Sequence, residues 1–191
     1  GYDKRLISPN KEKIEKINAY FGDVDFKFFD ETHLEAKQHN KREFIKLLSR
    51  IASDKEYKQK VIPLIDIYQF DSIGQTLKDP ERTPIICATS RLVEQKGYDI
   101  AVQAILNLAQ KYGRFRSHLP VFILGGAGDA NYFELLMKLK DKVAEVDKKT
   151  AERIYVFRGY KDEFAYAIQL ASDFYMMPCR FEPCGLTQME A

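Results

Sequence analysis

The sequence predicts an α/β fold, a Rossmann-like parallel sheet flanked by helices, preceded by a helical linker region. Three observations carry this prediction. From Thr83 onward, short apolar runs alternate with stretches whose apolar residues recur at helical spacing. The connections between them are short, which requires crossover helices and parallel strands. Each apolar run also stops at an unusual loop, and ligands of such sheets bind at the carboxyl ends of the strands.

Taken in order, residues 1–82 are charged and irregular, with helical spacing over Lys11 to Phe21 and His33 to Ile51. A short apolar patch, Val61 to Ile67, is broken by Pro63. This region reads as an inter-domain linker with one or two helices, and 83–191 as the nucleotide-binding-type domain. Ile85 to Ala88 follows Pro84 as a buried strand. Asp99 to Tyr112 carries Ile100, Ala101, Ala104, Ile105 and Leu108 on one stripe, with Gly113 as its stop. Val121 to Leu124 is the second strand, followed by a helix bearing Leu135, Leu136, Leu139, Val143 and Val146. Arg153 to Phe157 is the third strand, Asp162 to Leu170 a helix, and Asp173 to Met177 a fourth strand closed by Pro178. A last helix is expected to begin around Pro183 to Gly185, since Pro is favoured in a first turn.

Composition removes several function classes. The 191 residues carry 30 basic and 28 acidic side chains, a formal charge of +2. No general basic field exists to attract nucleic acid or an anionic membrane, so phosphate binding must come from a few placed groups. No apolar run approaches the roughly 20 residues that span a bilayer. The three cysteines, Cys87, Cys179 and Cys184, give neither a disulfide framework nor a C-x-x-C pair, and the three histidines are scattered. Reduced thiols and a cytoplasmic setting are expected, with no metal and no cofactor. The first residue is not Met and the last three, Met189-Glu190-Ala191, read as helix, so a piece of a longer protein is expected.

The candidate chemistry lies in the strand-end loops. Ser90 to Gly97 sets Arg91 and Lys96 five residues apart, a planar fork and a mobile point charge suited to a diphosphate. Gly125-Gly126-Ala127-Gly128-Asp129 invites a dinucleotide reading, but Asn131 stands where a third glycine belongs, which disfavours a nicotinamide enzyme. Its glycines permit close approach of a ligand or of backbone. Gly159 allows a sharp turn, and Tyr160 offers an aromatic face for a nucleobase or for the core. In Pro178 to Ala191, the free amides from Cys184 onward form an anion site, Gly185 lets a phosphate approach, and Thr187 adds a hydroxyl. Glu182 precedes that turn, and Glu190 follows eight residues later, on the face of the helix start. Two carboxylates beside an anion site make sense if they hold sugar hydroxyls.

In order and spacing, Ser90-Arg91-Leu92, Gln95-Lys96-Gly97, Leu124 to Asp129, Gly159-Tyr160 and Arg180-Phe181-Glu182-Pro183-Cys184-Gly185-Leu186-Thr187-Gln188 resemble bacterial glycogen synthases and plant starch synthases. Gly1-Tyr2-Asp3 and His39-Asn40-Lys41-Arg42 resemble parts of the linker between their domains. The resemblance implies the C-terminal half of a GT-B glycosyltransferase. It implies transfer of glucose from a nucleotide sugar, ADP-glucose first and UDP-glucose as alternative, to a growing α-1,4-glucan with retention. Under it, Arg91 and Lys96 bind the diphosphate and Glu182 contacts the transferred glucose. Gly126, Gly128 and Asp129, with Gly159 and Tyr160, would lie along the donor. Cys184, Gly185, Leu186 and Thr187 would cradle the phosphate, with Glu190 beside them.

Two departures qualify the resemblance. Glu182 and Glu190 make the Glu-x7-Glu spacing of the wider retaining transferases, including sucrose- and lipopolysaccharide-type enzymes, where glycogen synthases often lack the second acid. Ser49 to Pro80 is longer than the usual linker. Another retaining GT-B transferase using a UDP-sugar, of polysaccharide or sucrose type, and a non-catalytic nucleotide-sugar-binding module are the remaining alternatives. By itself the chain is expected to be inactive, because the resemblance puts acceptor-binding groups in another domain. A plastid setting would apply to a plant protein.

Overall fold

The computed structural model describes residues 11–28, 35–68, 70–76, 79–112 and 119–182. Their helices are α1 (Lys11–Phe21), α2 (Glu35–Ser53), α3 (Lys55–Val61), α4 (Ile73–Thr76), α5 (Tyr98–Tyr112), α6 (Ala130–Val146), α7 (Lys148–Ala151) and α8 (Asp162–Ala171). The strands are β1 (Asp66–Tyr68), β2 (Ile85–Thr89), β3 (Val121–Gly126), β4 (Ile154–Arg158) and β5 (Phe174–Tyr175). They form one sheet in the order β1-β4-β3-β2-β5. Four strands run parallel, and β1 alone pairs antiparallel, against β4.

The strands are apolar on both faces because both faces are covered. Ile85, Cys87, Val121, Ile123, Tyr155 and Phe157 pack with Ile14 and Ile17 of α1, Phe44 and Leu48 of α2, and Phe164 and Ile168 of α8. The alternate residues, Ala88, Phe122, Leu124, Ile154 and Val156, pack with Val102 and Ile105 of α5 and Leu136, Leu139 and Val143 of α6. Each Val, Leu, Ile or Phe side chain among them, fully buried, contributes about 1.5–3 kcal/mol of transfer free energy. The α/β class expected from the sequence is therefore what the chain adopts, as a three-layer sandwich.

Differences are concentrated in the first eighty residues. The linker reading expects no strand there, yet Asp66-Ile67-Tyr68 adds an edge strand, with Ile67 opposite Phe157. Three residues are too few to show a period of two, and the pairing is imposed by the neighbouring strand. Packing is continuous across 82/83, since α1 and α2 share one core with β2, β3 and β4. α3, which the apolar spacing does not reveal, starts at an Asp54 cap whose carboxylate accepts from the Tyr57 amide at 2.9 Å. The fourth strand of the sequence reading, Asp173 to Met177, shortens to Phe174–Tyr175. Asp173 and Met176 still donate to Ile85 and Cys87 of β2, but Pro178 has no N–H to extend the ladder. Gly113 and the helix expected from Pro183 lie outside the described residues. None of the described helices is long and apolar enough to cross a membrane.

Candidate functional site

Parallel register puts the carboxyl ends of β2, β3 and β4 along one edge, with Thr89 opposite Gly125 and Gly126 opposite Arg158. Beyond the strands the loops stay zipped by backbone. The Ser90 amide donates to Gly125 O at 3.2 Å, Leu92 to Ala127 O at 2.8 Å, and Asp129 to Leu92 O at 2.9 Å. The glycines make this approach possible. A Cβ on Gly126 would sit 1.8 Å from Ser90 O, and one on Gly128 2.5 Å from Leu92 O, both at positive φ. Of the two uses the sequence left open, close approach of backbone is the one realised on this side. Asp129 caps α6, accepting from the Asn131 amide at 2.8 Å. The Gly159 amide donates to Gly126 O at 3.1 Å, which joins the loop after β4 to the same array.

The loop after β2 turns through Glu94–Lys96 and then meets the chain leaving β5. Gly97 has φ 63°, and a Cβ there would lie 2.1 Å from Pro178 O. The Arg180 amide donates to Gln95 O at 2.9 Å. The Arg180 guanidinium donates twice to the Asp99 carboxylate, at 2.8 and 2.7 Å, a fork-to-fork pair. That contact holds the Asp99 carboxyl down at about 2. Gln95 Nε2 donates to Phe181 O at 3.1 Å. At the centre of this clasp, Lys96 Nζ lies 2.5 Å from Glu182 Oε2, with side chains only 13% and 21% exposed. The Cys179 thiol reaches the same carboxylate oxygen at 3.5 Å.

A cleft of about 500 Å³ opens beside the clasp, lined by Thr89, Ser90, Arg91, Lys96, Ala127, Tyr160, Ala165, Tyr166 and Gln169. Arg91 and Lys96, five residues apart in sequence, thus face one space, and Tyr160 from the loop after β4 forms part of its wall. Arg91 is exposed, and among the described residues no ion pair or hydrogen bond holds its guanidinium. Tyr160 donates its hydroxyl to the Asp162 carboxylate, and the residue is 60% exposed. Cys184, Gly185, Leu186, Thr187 and Glu190 lie outside the described residues.

Sequence reasoning missed the groups that hold these loops from below. Tyr98, the first residue of α5, is 1% exposed. Its phenol oxygen lies 2.8 Å from Gly125 O and 3.1 Å from the Ser90 amide, donating to the first and accepting from the second. Burial pushes its ionisation far above the ordinary tyrosine value. Tyr175 of β5 donates its hydroxyl to Thr89 O, and burial raises it to about 12. Two tyrosines therefore pin both sides of the β2 exit. The one signal in the sequence is a hydroxyl-bearing ring at each of two otherwise apolar element ends. Tyr166 and Gln169 of α8, which complete the cleft wall, give no signal beyond helical periodicity. Among the described residues no three His, Cys, Asp or Glu side chains stand together as metal ligands.

No family model matches the chain. Curated relatives do. The chain is 39% identical to glycogen synthase 2 of Geobacter sulfurreducens over 56% of its own length and 19% of that protein. It is 29% identical to the glycogen synthase of Pectobacterium atrosepticum over 99% of its length and 33% of the relative. With the glycogen synthase of Thermodesulfovibrio yellowstonii it shares 27% identity over 100% of its length and 34% of the relative. The chain thus spans about a third or less of the length of these relatives. The resemblance to glycogen-synthase-type glycosyltransferases, first legible in the strand-end motifs, runs along the whole chain.

Proposed function

We propose that this chain, similar throughout to glycogen synthases, forms the nucleotide-sugar-binding part of a retaining glucosyltransferase that extends an α-1,4-glucan. The observation that carries the reading is the meeting of Arg91, Lys96 and Tyr160 on one cleft, with Glu182 held against Lys96. A volume of about 500 Å³ lies within the usual range for small-molecule sites. The cleft also sits at the carboxyl edge of the parallel strands, where such folds bind ligands.

In this reading Arg91 and Lys96 take the donor diphosphate, and Tyr160 offers its exposed ring to the base. As the bond from the anomeric carbon to the β-phosphate oxygen breaks, negative charge grows on the leaving nucleoside diphosphate. Cations brought to that charge lower the barrier, and the backbone array beneath holds the loop that carries both of them. Glu182 accepts hydrogen bonds from hydroxyls of the transferred glucose. Gly126, Gly128, Asp129 and Gly159 act by building the wall. Cys184, Gly185, Leu186 and Thr187 would supply amides to the phosphate, with Glu190 on the sugar side, on the strength of their motif. In this reading Arg91 and Lys96, with the amides that the motif after Glu182 would supply, offset the charge of the diphosphate.

ADP-glucose is the expected donor. The Glu182 to Glu190 spacing favours a second reading, a UDP-sugar donor with another acceptor. Titration calorimetry of the full-length protein with ADP-glucose and UDP-glucose, followed by transfer assays on an α-glucan, separates the two. Tighter binding of ADP-glucose with retained anomeric configuration in the product is expected. Binding of neither nucleotide sugar would overturn the function.

A further inference from the structure

The two cations of the cleft are not equivalent. Arg91 is exposed, with no ion-pair partner among the described residues, whereas Lys96 is engaged by Glu182 at 2.5 Å in a place largely shielded from water. We propose that Glu182 determines specificity by charge: it holds the Lys96 ammonium so that the site disfavours a bare nucleoside diphosphate and favours one carrying a sugar. The proposal rests on the donor-site reading above.

The argument is electrostatic. A carboxylate touching the ammonium cancels most of its field at a diphosphate, and it repels any phosphate that comes close. Shielding from water keeps both effects from being screened away. A bare nucleoside diphosphate offers Glu182 nothing in return, because every oxygen facing it is negative. A hexose does offer something, since its hydroxyls donate to the carboxylate and satisfy it as a charge-assisted acceptor. The Lys96 ammonium has three N–H groups, so once Glu182 is satisfied by the sugar its remaining protons can turn to the phosphate. The carboxylate that admits the donor therefore disfavours the nucleoside diphosphate left after transfer, once the hydroxyls have gone. The clasp keeps Glu182 in place for this: Arg180 and Phe181, the two residues before it, are tied to Asp99 and Gln95.

The test is titration calorimetry on the full-length protein with ADP, UDP, ADP-glucose and UDP-glucose. Wild type should bind the preferred nucleotide-glucose at least about tenfold more tightly than its nucleoside diphosphate. In Glu182→Gln, binding of the nucleoside diphosphate should tighten by about tenfold while the nucleotide-glucose does not tighten, so the preference shrinks or inverts. Glu182→Ala should act in the same direction, and adding Lys96→Met should abolish the gain. Unchanged nucleoside diphosphate affinity in a folded Glu182 variant, or equal tightening of both ligands, overturns the proposal and leaves the donor site standing. A wild type that binds nucleoside diphosphate more tightly than nucleotide-glucose also overturns it. A wild type that binds neither removes the donor site itself.

Discussion

The two ends of the sheet each hold a lysine against a carboxylate at nearly the same distance, and the pairs do different work. At the amino end Lys41 Nζ lies 2.6 Å from Asp173, and at the carboxyl end Lys96 Nζ lies 2.5 Å from Glu182. Lys41 is 3% exposed and also donates to Pro80 O at 3.0 Å and Thr83 O at 3.1 Å. The same Asp173 oxygen accepts from the Ile85 amide at 2.7 Å. That pair is anchored to main chain on both sides and ties α2 to the start of β2 and of β5. The Lys96 pair borders an open cleft, and its partner reaches a second side chain, the Cys179 thiol. What separates the two pairs is where they sit, one against main chain and the other beside an open cleft, and length says little.

Exchanging the two lysines sharpens this contrast most. Lys96→Ala should reduce turnover of the full-length enzyme at least a hundredfold, about 3–4 kcal/mol of transition-state stabilisation, in protein that is still folded at the assay temperature. Lys41→Met should do the opposite, leaving the rate nearly unchanged and costing about 1–3 kcal/mol of stability, because Thr83 O loses its buried donor and Asp173 its cation. A denaturant titration beside a rate assay reads both, and a rate loss for Lys41→Met without a stability loss would break the comparison.

A smaller effect concerns Lys37, which stands at the same end of the sheet and donates to Gln169 O at 3.5 Å. Burial brings its ammonium down from 10.5 to about 8, against an opposing pull from Asp173. The unfolded chain keeps that proton up to 10.5, so between about 8 and 10.5 the unfolded state binds more protons and stability rises with pH. Below about 8 the full cost of the buried charge remains. Lys37→Met should stabilise the protein at neutral pH by about 1–3 kcal/mol and flatten the rise between those limits. Chemical denaturation across the alkaline range checks it.

The smallest effect is expected at the clasp. Asp99 is held at about 2 against an ordinary 3.8, so its contribution is complete above 3.8 and is lost as pH falls through about 2. Both side chains are more than a third exposed, and solvent screens the pair. Asp99→Asn should therefore lower stability only slightly, with the difference vanishing as pH falls below about 2, as acid unfolding curves would register. A large loss would mean that the clasp is more rigid than its exposure implies.

The two ends also differ in how far the sequence reveals them. The apolar runs of β2, β3 and β4 were legible because sheets covered on both faces need continuous apolar strands. The cleft was legible in Arg91, Lys96 and Tyr160, whose chemistry is conspicuous at strand ends. Glu182 could be assigned to the site but not to Lys96, since 86 residues separate them. Lys41 reads as a surface charge on a helix, and its partner lies 132 residues away, so no local pattern announces its burial. β1 is too short for periodicity. The glycines announce close approach, while the identity of what approaches, Ser90 and Leu92, appears only in three dimensions.

One contact joins everything on the cleft floor. At Gly97 the turn carrying Lys96 rests directly on the carbonyl of Pro178, main chain against main chain. A side chain between two segments can swing aside and absorb a shift, but two touching backbones cannot. The lysine and the strand exit that leads to Glu182 therefore move as one stiff lever, and a methyl group added at that joint would pry both from their places without touching any bound molecule.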